Sequence, residues 1–121
     1  MASKFEATAG KLIGFVKGGT VEQSTNKNTD VTINADCGEI IMSATDLPGR
    51  PLAYTFTVNN DRVKSTDVVV INHNSGDLGD RLIYAGYIRD GSFDIYAEAL
   101  GVETPNIELR FSFLLLKGSI S

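Results

Sequence analysis

Apolar and polar residues alternate with a period of two along most of this chain. Tyr54, Phe56 and Val58 share one face of a predicted strand, and Thr55 and Thr57 take the other. The clearest alternation is Ile107, Leu109, Phe111, Phe113 and Leu115, interleaved with Glu108, Arg110 and Ser112. Leu114 and Leu116 break that pattern, because they fall on a face that is otherwise polar. Shorter strands are predicted over residues 11–17, 31–34 and 39–43. Residues 66–72 contain Val68-Val69-Val70-Ile71, apolar on both faces, which predicts a central strand. Residues 81–89 and 92–99 flank Asp90-Gly91, a hairpin signal.

Turn-forming residues separate these runs. Gly18-Gly19, the polar tract 24–30, Asp36-Cys37-Gly38, Asp46-Leu47-Pro48-Gly49, Asn59-Asn60-Asp61 and Asn74-Ser75-Gly76-Asp77 all favour turns. About eight strands at roughly ten-residue spacing predict an all-β fold: an antiparallel β-sandwich, jelly-roll-like. The expected core is Phe15, Val31, Ile33, Ile41, Phe56, Val58, Val69, Ile71, Ile83, Phe93, Ile95, Leu109, Phe111 and Phe113. Residues 1–12 read as a flexible arm with Phe5 as an anchor, and residues 13–121 as one β-sandwich domain.

At 121 residues the chain is one domain with enough length to bury a core. Its net charge of −4 argues against nucleic acid as a partner, since phosphate binding needs an excess of Lys and Arg. Cys37 is the only cysteine, so no disulfide forms within the chain. Met1-Ala-Ser-Lys-Phe-Glu-Ala lacks the apolar stretch of a signal peptide. Leu114-Leu115-Leu116, the longest purely apolar run, is far too short to span a bilayer, so no membrane is expected.

Candidate chemistry is sparse. His73 is the only histidine, and it follows a predicted strand, which favours a packed or turn-stabilising role over catalysis. Cys37 has no neighbouring base in sequence. His73, Asp77 and Asp80 share one loop, but their spacing matches no EF-hand or zinc pattern. Asp94, Glu98, Glu103 and Glu108 offer carboxylates for glycoside hydrolysis, yet alternation gives Asp94 and Glu98 the appearance of solvated strand positions. Gly18-Gly19 precedes a strand, not a helix, and forms no phosphate site. No enzyme, metal or cofactor is expected. Tyr84, Tyr87 and Tyr96 fit either a stacking platform for sugars or a protein interface, with the interface favoured.

The stretch 20–42, with Val21, Gln23, Lys27, Val31-Thr32-Ile33-Asn34, Cys37-Gly38, Ile40 and Met42, resembles small virion structural proteins of tailed bacteriophages. The resemblance continues through Phe56-Thr57-Val58-Asn59, Asp67-Val68-Val69-Val70, Asn72-His73 and Gly91-Ser92-Phe93, and closes on the strand that ends at Lys117-Gly118. Asn60-Asp61-Arg62-Val63-Lys64 and the tyrosine-rich segment 81–89 depart from the pattern. The resemblance implies a capsid decoration or cement protein at the capsid surface of the virion, made in the host cytoplasm. It implies the major capsid protein as partner and a homotrimer as assembly. Subunit or capsid contacts are expected at Phe5, Tyr84, Tyr87, Tyr96, Leu114 and Leu116. The alternative is a phage tail-fibre or a receptor- or carbohydrate-binding module.

Overall fold

The computed structural model describes residues 18–49, 53–74, 81–99 and 106–118. Within them the chain forms β1 (Thr20–Glu22), β2 (Val31–Thr32), β3 (Cys37–Met42), β4 (Ala53–Asn59), β5 (Val68–His73), β6 (Arg81–Arg89), β7 (Ser92–Ala99) and β8 (Leu109–Leu116). Two four-stranded sheets result, ordered β1-β3-β8-β5 and β2-β4-β7-β6. The expected all-β sandwich is the observed fold. Residues 1–17, including Phe5, Phe15 and the predicted strand 11–17, lie outside the described residues, as does the arm boundary.

Alternation builds the core as expected. On β4, Tyr54, Phe56 and Val58 are buried; on β8, Leu109, Phe111, Phe113 and Leu115 are buried. Phe56 meets Phe111 across the layers with ring centroids 6.5 Å apart, and Phe93 meets Phe113 at 5.7 Å. Burying each such ring contributes about 2–3 kcal/mol, and aromatic pairing adds about 1 kcal/mol more.

Three expectations need correction. Pairing is not antiparallel throughout: β1 runs parallel to β3 and β2 parallel to β4. Both short strands lie at sheet edges, and these parallel pairs depart from the antiparallel neighbours of a jelly roll. Gly38 does not break the chain but sits inside β3. A Cβ there would come within 2.7 Å of Ile33 Cδ1 and 3.3 Å of Phe113 Cε1, so the glycine serves close packing. Finally, β5 is an edge strand, not a central one. Val69 and Ile71 pack partly against the core, whereas Val68 and Val70 face outward. Ile41 is buried but lies opposite Arg110 on the outer side of β3; its neighbours Ile40 and Met42 enter the core instead.

Candidate contact surfaces

Five of the expected contact residues divide the outer sides of the sandwich between two kinds of surface. On β6 and β7, Tyr84 stands directly opposite Tyr96, and their rings stack at 5.3 Å with an interplanar angle of 22°. The Tyr84 hydroxyl donates to Glu98, which holds the Tyr84 pKa above its ordinary value. Gly86 makes room for the Tyr96 ring, since a Cβ there would lie 3.0 Å from Tyr96 Cε2. The register then slips between Gly86 and Arg89. At this bulge Tyr87 takes φ = 49°, a left-handed conformation that costs a non-glycine residue about 1–2 kcal/mol.

Arg89 fixes that bulge. Its Nε donates to Ser92 Oγ, Nη1 to the Tyr87 carbonyl, and Nη2 to Asp94 Oδ1 at 2.9 Å. The guanidinium also lies 4.2 Å from the centroid of the Tyr87 ring. Burial pulls the Asp94 carboxyl upward, but hydrogen bonds from Arg89 and Thr57 outweigh it and hold the pKa below the ordinary carboxylate range. Tyr87 is thereby 69% exposed and yet held from below.

The outer side of the other sheet carries an aliphatic strip along β5 and the end of β8, next to the polar Glu39, Asn72, Arg110 and Ser112. Leu116 pairs with Val68, and Leu114 sits between Cys37 and Val70. Leu114 and Leu116 are half-buried, while Val68 and Val70 are 55% and 41% exposed. Asp67 anchors the start of β5 beneath this strip. Its carboxylate takes hydrogen bonds from Lys117 Nζ and from the amides of Lys64 and Gly118. Burial pulls its pKa upward, and those donors outweigh burial and lower it.

The remaining candidates fill structural places. His73 is half-buried, and its Nε2 accepts from the Ile83 amide at 3.4 Å. Asp77, Asp80 and Glu103 lie outside the described residues. Asp94 is tied to Arg89, Glu98 to Tyr84, and Glu108 to Arg110. Cys37 is a half-buried thiol. Among the described residues no three metal-ligating side chains converge, and no helix is long and apolar enough to cross a membrane.

Sequence reasoning missed Arg89 and Gly86 as supports of the tyrosine surface, and Val68 and Val70 as its aliphatic counterpart. Alternation does break at Gly86-Tyr87, and a glycine inside a strand pattern is a bulge signal. It also missed the buried polar anchors. Lys27 is only 3% exposed and pairs with Asp46 at 2.7 Å. Gln23 bonds the Lys27 and Thr29 carbonyls and the Ser43 amide, and Asn60 bonds the Ala35 carbonyl and the Arg62 amide.

No family model matches the chain, and neither a curated protein nor a solved structure matches it.

Proposed function

We propose that this chain is a non-enzymatic virion structural protein that decorates a tailed-phage capsid and cements it by bridging major capsid proteins. The class comes from the sequence resemblance to small virion structural proteins. The observation that carries a contact role is the strained, exposed Tyr87 with Arg89 stacked against it. Backbone strain persists only where surroundings over-determine it, and it gathers at ligand clamps and other working surfaces. Tyrosine and arginine are also the side chains that concentrate binding energy at interfaces. Because the ridge is ordered before contact, little entropy is lost on docking. On a shell, many weak clamps act together, so each copy need contribute only a few kcal/mol.

Imaging of purified particles with the protein present and stripped tests this reading. Added density at capsid symmetry axes, with earlier heat-induced DNA release after stripping, is the expected result. Density confined to the tail, or none, overturns it.

The same ridge favours one second reading. Exposed tyrosines beside Glu98 also suit stacking on a sugar ring, as in a tail-fibre or carbohydrate-binding module. Glycan-array binding that disappears with Tyr87→Ala, without particle binding, selects that reading.

A further inference from the structure

The edge of the second sheet farthest from β6 carries an inference that stands apart from the particle reading. There β2 pairs with β4 through two residues only, Val31 with Val58 and Thr32 with Asn59. β4 itself runs from Ala53 to Asn59, so most of this edge has no backbone strand beside it among the described residues. Its amides are nonetheless taken. The Thr55 amide donates to Asn28 Oδ1 at 3.3 Å, and the Thr57 amide to Asp30 Oδ1 at 2.8 Å. Past the other end of β2, the Asp61 amide donates to Asn34 Oδ1 at 2.9 Å.

All three side-chain bonds, and both backbone pairs of β2, join residues 27 positions apart. Residues 28–34 therefore follow residues 55–61 in one parallel register. Where the backbone ladder stops, an Asn or Asp of the same alternation takes over. The short side chains of these residues compete well with backbone acceptors. In Asn-Thr-Asp-Val-Thr-Ile-Asn, the oxygens at 28, 30 and 34 thus stand in for strand carbonyls.

The segment is also held from its other side. Gln23 donates to the carbonyls of Lys27 and Thr29 and accepts from the Ser43 amide. The Lys27 amide donates to the Thr45 carbonyl, and its buried ammonium pairs with Asp46. Asn26 Oδ1 accepts from the Asn28 amide.

We propose that residues 26–34 are an autoinhibitory edge cap: a segment of the chain itself that occupies the β4 edge and denies it to any added strand. A row of unpaired edge amides is a template for strand addition. The cap satisfies those amides with side-chain oxygens, and it contributes a strand of only two residues in doing so. Brevity is itself an edge defence.

Backbone amide exchange and light scattering on the full chain test the cap. The Thr55 and Thr57 amides should be protected in the native protein, although no backbone strand faces them. Asn28→Ala with Asp30→Ala removes both acceptors. Exchange at Thr55 and Thr57 should then rise at least ~10-fold, the scale of one lost hydrogen bond. Phe56 and Val58, whose amides alternate towards β7, should stay protected. The folded double variant should gain mass with concentration where the native protein does not. Asp30→Asn keeps the acceptor oxygen and should retain native exchange and mass. Should the double variant unfold, Asn28→Ala alone carries the same readouts at Thr55. Free exchange of Thr55 and Thr57 in the native chain, unchanged exchange in the variant, or released amides with native mass at every concentration overturns the proposal.

Discussion

β5 and β6 are stacked edge strands on the same side of the sandwich, finished in opposite ways. β6 begins and ends in arginine, carries a bulge, and has its Ile83 amide capped by the imidazole of His73. β5 has no charged residue, and among the described residues it pairs with β8 alone and without a register shift. Each strand is nonetheless tied down by one carboxylate, Asp67 for β5 and Asp94 for β6. The β6 side presents a tyrosine ridge, whereas the β5 side presents the aliphatic Val68 and Val70. The proposed contact role rests on the first of these, the tyrosine ridge of β6 and β7.

The anchors give the largest effect by which to test this contrast. Asp67 is 6% exposed and holds an ammonium and two amides. Asp67→Ala leaves those donors without their acceptor and should cost about 3 kcal/mol, read as a lower denaturant midpoint. Its pH dependence follows from the lowered pKa. The folded state binds fewer protons than the unfolded state, so this stabilisation is complete above the ordinary aspartate value of 3.8 and is lost as pH falls below it. An acid titration should therefore show a flatter loss for Asp67→Asn than for the native protein.

Next in size is a change in binding at unchanged stability. Tyr87→Gly removes about 1–2 kcal/mol of left-handed strain. It also forfeits the ring–guanidinium contact and adds glycine entropy, together of similar size. Melting should stay nearly level while particle affinity falls about 30-fold, equivalent to about 2 kcal/mol.

The smallest effect falls on Asp94, whose partner Arg89 is 28% exposed. Asp94→Asn should cost about 1 kcal/mol of stability, clearly less than loss of Asp67, and should weaken particle binding several-fold by loosening the bulge. Equal costs at the two carboxylates, measured by chemical denaturation, would erase the distinction between the anchors.

Much of the fold was legible because period-two alternation is a direct imprint of one buried face. β4, β7 and β8 follow it closely, and the Asp90-Gly91 turn joins β6 to β7 with φ = 88° at Gly91. The misreadings arise where one signal has two causes. Val68 to Ile71 is apolar on both faces, as a central strand is, but here the second face is the surface. Gly38 has the composition of a turn and the function of a spacer between Ile33 and Phe113. Lys27, Asp67 and Asn60 are polar by type and buried by partnership, which no local pattern encodes. The tyrosines were visible as exposed candidates, while their support was not. The register slip that aims Tyr87, and the three donors of Arg89, depend on strand pairing rather than on neighbours in sequence.

The most direct measurement is a pair of particle-binding isotherms, for Tyr87→Gly and for Val70→Lys, on capsids stripped of this protein. A contact made through the tyrosine ridge predicts that Tyr87→Gly binds about 30-fold more weakly per chain while keeping the native mass. Val70→Lys, on the other sheet, should retain the tyrosine-mediated contact. Native-like binding by Tyr87→Gly contradicts the account.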